Sequence, residues 1–127
     1  MELTLASEDD VLFATATARA SVEEVLRVFK MVIDAAAERR FESILMDFFA
    51  VKSDLSDLDL YVVGKTMSEY CESKLFWPKV AVIGNPPTVT GFGAEVASNR
   101  GLTSMTFSER QPALNWLHAF KSNALGS

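Results

Sequence analysis

Asp47 is the residue whose setting most demands a chemical account. It interrupts the run Ile44-Leu45-Met46 and Phe48-Phe49, where burying an unpaired carboxylate would cost several kcal/mol. Two arrangements resolve that cost. The carboxylate stands at the carboxyl end of its strand, where ligands and partners reach an open α/β sheet, or backbone amides of the segment from Lys52 to Ser56 hold it as a purely structural acceptor. That segment, Lys52-Ser53-Asp54-Leu55-Ser56-Asp57, is the most polar of the chain. Either Ser53 or Ser56 can cap a helix after it. Asp47, Asp54 and Asp57 are oxygen donors of the kind magnesium takes, but acids before a helix more often serve as caps and dipole partners, so no metal is expected.

The remaining reactive side chains are few. One histidine and one cysteine on different elements exclude a structural zinc site. Cys71 falls on an apolar helical stripe, where a thiol behaves as a small hydrophobe. His118 lies between Leu117 and Ala119, on the side of a helix that its core residues do not use, and reads as a solvated surface residue. Gly91-Phe92-Gly93 resembles the start of a dinucleotide fingerprint, yet Val96 occupies the place of the third glycine, so no nucleotide cofactor is expected. With no nucleophile, acid-base pair or metal cluster identifiable, the expectation is a protein that is not an enzyme. Phe48, Phe49, Phe76, Trp77 and Phe92 suggest a different property, an apolar pocket beneath a glycine-bearing third helix, with Phe49, Phe76, Trp77 and Phe92 as its candidate lining. Aromatics at such spacing are more often plain core.

These residues are positioned by an alternation of strand-like and helix-like runs. Val11 to Ala18, Ser43 to Val51, Lys79 to Gly84 and Thr103 to Phe107 read as strands, each followed by apolar spacing of helical period. Such a repeat predicts an α/β fold with a mostly parallel sheet. Leu3 and Leu5 alternate with polar neighbours before Glu8-Asp9-Asp10, which predicts an N-terminal antiparallel hairpin with an edge strand. Ser21 and Glu24 have capping-box spacing, and Val22, Val25, Leu26, Phe29, Ile33 and Ala36 form the stripe of the helix they open. The nearly unbroken apolar run around Asp47 predicts a central strand covered on both faces. Leu60, Val63, Met67, Tyr70 and Cys71 mark a second helix that stops before Trp77-Pro78. Gly84-Asn85-Pro86-Pro87 forces a turn, Gly101 suits the C′ position of a short third helix, and Pro112 opens the last one.

Composition bounds the function classes. The chain has 127 residues, 49% hydrophobic and 23% charged, which fits one folded domain over residues 1–122 with a frayed tail at 123–127. Its formal net charge of −5 and its scattered basic residues argue against nucleic-acid binding. No apolar run approaches the roughly 20 residues of a membrane span, and the start lacks a secretory leader, so a cytoplasmic location is expected.

The order of elements and several short phrases resemble one family. A hairpin-like start, Ile44-Leu45-Met46-Asp47 before a serine-bearing loop and helix, the strand Lys79 to Gly84, and a closing segment from Phe107 to Leu117 are similar to the STAS superfamily, in its anti-sigma-factor-antagonist-like (SpoIIAA-like) branch. The resemblance spans nearly the whole chain and implies a small mixed sheet with about four helices packed mainly on one face. It also implies a regulatory domain that docks to a protein partner, with a serine at the start of the second helix phosphorylated to break the contact. Ser53 or Ser56 would take that position, although the Asp-Ser-Ser-Gly phrase of signalling members is absent here. Asp54 and Asp57 would repel an added phosphate.

Two readings follow. The first is a regulatory interaction module, with Asp47, Ser53 and Ser56 as its candidate loop and Phe49, Val51 and Leu55 as exposed contacts; a homodimer is one form such docking could take. The second is a carrier of a small apolar, lipid-like ligand.

Overall fold

A computed structural model describes residues 2–126 other than Pro87, with side chains described through residue 119. The elements run β1 (Glu2–Glu8), β2 (Val11–Arg19), α1 (Val22–Arg39), β3 (Ser43–Lys52), α2 (Asp57–Lys74), β4 (Lys79–Ile83), α3 (Phe92–Asn99), β5 (Ser104–Phe107) and α4 (Arg110–Gly126). The five strands form one sheet in the order β1-β2-β3-β4-β5. Only β1 runs antiparallel to its neighbour; β2, β3, β4 and β5 pair in parallel. The β1–β2 hairpin closes through Asp9 and Asp10 at φ of 50° and 64°, the backbone sign that two-residue primed turns require.

Helix ends follow local chemistry. Ser21 caps α1 by accepting from the Glu24 amide at 3.3 Å, and Arg40 ends it in the left-handed region. Gly101, at φ 106°, follows the C-cap of α3, and the Leu102 amide there donates to the Ala97 carbonyl. The stripe that α1 buries is turned by one position from the sequence reading. Val28 and Val32 are fully buried along with Val25, Ile33 and Ala36, whereas Val22, Leu26 and Phe29 sit half-buried at its margin. Helix α4 continues to Gly126, over positions where a frayed tail was expected.

Burial sorts the strand residues by parity, because successive side chains point to opposite faces. Leu12, Ala14, Ile44, Met46, Phe48, Val80 and Val82 pack with α1, α2 and α3 in the larger core. Val11, Phe13, Leu45, Ala81 and Ile83 pack with Ala113 and Leu117 of α4 in the smaller one. Three helices therefore cover one face and α4 the other, and the inner strands β3 and β4 are apolar on both. At about 25 cal/mol per Å², burial of a Leu or Ile on either face contributes roughly 1.5–3 kcal/mol.

Candidate functional site

The candidate site is the far half of β3 and the loop that leads into α2. Strand β3 does not end at Asp47. Asp47 is level with Thr15 of β2 and Ile83, the last residue of β4, but β3 continues to Lys52 alongside Arg19. The register slips between Thr15 and Thr17, where Asp47 and Ala50 are their partners, so β3 carries an extra residue in this stretch. The bulge lets β3 bend past the end of β4 and deliver the loop over the helical layer.

Asp47 is half-buried on the parity of the α4 face, and its Oδ1 accepts from the Phe49 amide at 3.0 Å. The expected acceptance from the 52–56 loop is thus replaced by a bond two residues along, which the bulge makes available. Asp54 points away and pairs with Arg19 at 2.9 Å, both side chains well exposed, an ion pair of little energetic weight. Among the described residues no group of three or more His, Cys, Asp or Glu side chains is placed to hold a metal ion.

The two serines separate completely. Ser56 is the N-cap of α2: its Oγ accepts from the Asp59 amide at 3.1 Å, and its own amide donates to Asp59 Oδ2 at 3.0 Å. The pair is a capping box with aspartate in place of the usual glutamate. Ser56 is exposed, whereas Ser53 is only 5% exposed. Among the described residues the Ser53 Oγ has no hydrogen-bond partner.

Ser53 lines a partly open cavity of about 80 Å³ between α1, α2, α3 and strands β3, β4 and β5. Phe29 and Phe48, edge to face with centroids 5.6 Å apart, form one wall, and Val63, Met67 and Ala97 contribute to the others. Val51, expected as an exposed contact, is 4% exposed and belongs to this lining, as does the half-buried Leu55; the bulge reverses the parity that put Val51 outside. The four aromatics expected to line a pocket lie elsewhere. Phe49, Trp77 and Phe92 are exposed, and Phe76 packs at the edge of the larger core. The Trp77 ring covers Gly101 instead. Signals for the actual cavity were present in the sequence only as small residues on α2 and α3. Gly64 and Gly93 face each other there, and a Cβ at Gly64 would overlap the Gly93 carbonyl oxygen.

The reactive side chains have unreactive settings. Burial pushes the Cys71 thiol up to about 11, and the residue is fully buried, so thiolate is scarce at neutral pH. His118 is exposed on α4. Between α1 and α2, Asp34 accepts from Tyr70 and Lys74, each at 2.6 Å. Partial burial raises the Asp34 carboxyl, but the Lys74 and Tyr70 bonds together outweigh it and leave the group below its usual range. This cluster ties the two helices together.

A solved structure shares the architecture. An uncharacterized protein from the DUF3478 family with a SpoIIAA-like fold, from Shewanella loihica PV-4, superimposes with a TM-score of 0.53 at 19% identity, covering 91% of this chain and 92% of that one. This chain has the SpoIIAA-like fold. The anti-sigma factor antagonist SpoIIAA in its unphosphorylated form aligns with a TM-score of 0.48 at 12% identity over 92% of this chain and 98% of that one. No family model matches the sequence, and no curated protein matches it. In the SpoIIAA-like frame described here, the β3–α2 loop and α2 lie at the parallel strands' carboxyl end, with the apolar cavity directly behind them. No helix among the described residues is long and apolar enough to cross a membrane.

Proposed function

We propose that this protein is a non-catalytic regulatory domain of the STAS type that works by docking to a protein partner through the outward side of α2. The observation that carries the reading is that α2 is apolar on two sides. Leu60, Val63, Met67 and Cys71 face the core, as a sheet-packed helix requires, but Leu58, Tyr61 and Val62 face outward at 71%, 37% and 38% exposure. Spacing of i, i+3 and i+4 gathers those three on one surface. An apolar outer stripe adds nothing to the packing of its own domain and marks a surface that another protein covers. Arg100, which donates to the Tyr61 hydroxyl at 3.1 Å, places one cation at the rim. The partner surface that fits is an apolar ridge.

Ser56 rather than Ser53 is the serine that a modifying enzyme would reach from outside. A phosphate there would sit at the helix N-terminus, but Asp57 and Asp59 in the first turn would oppose it.

Photo-crosslinking in cells tests the reading. A benzophenone amino acid at Leu58 should give one discrete crosslinked protein species, a second copy of the chain being one form it could take, and Val62→Glu should abolish it. The same probe at Leu75, which is 86% exposed on the far end of α2, serves as the control. Equal crosslinking from both positions, or none from position 58, would remove the proposal.

A further inference from the structure

The two edges of the sheet are finished differently. On β5 the odd-numbered residues bond to β4: the Val80 amide donates to the Thr103 carbonyl and the Gly84 amide to that of Phe107, so Ser104 and Thr106 turn their backbone groups outward. Ser98 of α3 covers the first of these, its Oγ donating to the Ser104 carbonyl at 2.7 Å and accepting from the Ser104 amide at 3.2 Å. Strand β1 is the other edge, with β2 as its one neighbour in the sheet. In a two-residue primed hairpin the flanking residues, here Glu8 and Val11, exchange backbone bonds, and alternation from there turns the N–H and C=O of Leu3, Leu5 and Ser7 outward. The strand is seven residues long, with neither a proline nor a bulge to stop a further strand from pairing.

We propose that β1 is a docking edge for an extended segment of a protein partner, alternately apolar and basic, which adds antiparallel as a further strand of the sheet. The two kinds of side chain would meet different faces. Leu3 and Leu5 are half-buried at the margin of the larger core, so apolar residues opposite them would extend that core. Glu2, Thr4, Ala6 and Glu8 lie on the opposite face, all exposed, with an acid at each end of the strand. Lysine or arginine opposite those acids makes favourable cross-strand pairs. Charge also decides against a second copy of the chain as the occupant. Antiparallel pairing of two β1 strands along their whole length would set Glu2 of each against Glu8 of the other, like charges directly opposed. The acids therefore oppose self-association and leave the edge open to a basic strand. This edge shares no residue with the outward side of α2 and is independent of the docking surface there.

Amide-resolved NMR of the full chain at low ionic strength tests the edge, with a peptide of the length of β1 that alternates lysine and valine and carries lysine at both ends. Saturable shifts and slowed hydrogen exchange are expected at the amides of Leu3, Leu5 and Ser7. The peptide's valine amides face β1 in this register, so methylating their nitrogens should abolish binding, whereas methylating the inner lysine amides, which face away, should not. Replacing the lysines by glutamate should also abolish it, and the double variant Glu2→Gln, Glu8→Gln should weaken the lysine peptide roughly threefold to tenfold. The proposal is overturned if those amides do not respond, if methylating the valine amides leaves the affinity unchanged, or if the glutamate peptide binds as well as the lysine one. Shifts of the same amides with protein concentration, in the absence of peptide, would overturn it too, because the occupant would then be a second copy.

Discussion

Gly64→Ala isolates the close approach of α2 and α3 on which the cavity wall depends. In a helix interior the exchange gains about 1 kcal/mol from backbone entropy and propensity alone. Against that gain, the new methyl would overlap the Gly93 carbonyl oxygen and stand 2.9 Å from Val96 Cβ. A backbone oxygen cannot rotate aside, so α3 must shift outward, and overpacking of this kind costs about 1–3 kcal/mol or more. Gly93→Ala is the matched reference. It too lies in a helix, but its added Cβ would meet nothing closer than the Leu60 carbonyl oxygen at 3.4 Å, so it keeps most of the propensity gain. The difference between the two variants cancels much of the propensity and exposes the steric cost: Gly64→Ala should be the less stable by about 1–3 kcal/mol. For a chain of this size that corresponds to a Tm gap of roughly 3–15 °C. Urea unfolding followed by circular dichroism, with unchanged m values, provides the measurement. If Gly64→Ala equals or exceeds Gly93→Ala in stability, the two helices are not in the contact described and the cavity wall built on it is wrong.

Two further outcomes follow from the same geometry. Removing the α2 cap with Ser56→Ala should cost about 1 kcal/mol in urea unfolding, because the Asp59 amide loses its acceptor; Ser53→Ala should cost nothing and is expected to stabilise the protein, since its hydroxyl meets no partner. A larger loss from Ser53→Ala than from Ser56→Ala would contradict the assigned roles. Lys79 is buried with its ammonium 5.7 Å from the Trp116 ring centroid, and burial pushes its pKa down to about 8 from 10.5. Between those values the unfolded chain holds a proton that the folded chain has released, so Lys79 contributes a rise in stability as pH climbs from about 8 to 10.5, on the order of 3 kcal/mol, which the raised Cys71 thiol opposes above pH 9. Lys79→Met should flatten that rise relative to the parent, and an unaltered slope would show that Lys79 keeps its ordinary pKa.

Much of the fold was written locally. The strand-helix alternation, the hairpin at Asp9-Asp10, the Ser21 cap and Gly101 after α3 all depend on residues within a turn or two of one another, and each is where the sequence puts it. The central place of β3 could be read because a strand covered on both faces needs apolar side chains at odd and even positions alike. The same run concealed the bulge. A register slip depends on what the neighbouring strand offers, and nothing within Ser43–Lys52 announces it.

The candidate site divides in the same way. Sequence alone marked the segment from Asp47 to Asp57 and the two serines as the place of interest, through its polarity and its position before a helix. It could not choose between Ser53 and Ser56, since both stand close enough to cap α2; the path of the bulged strand turns one hydroxyl inward and leaves the other at the helix end. Nor could it assemble the cavity. A cavity is the volume left over when helices and sheet pack, fixed by the Gly64–Gly93 approach and by side chains from six separate elements, whereas hydrophobic periodicity reports only which face of each element is buried.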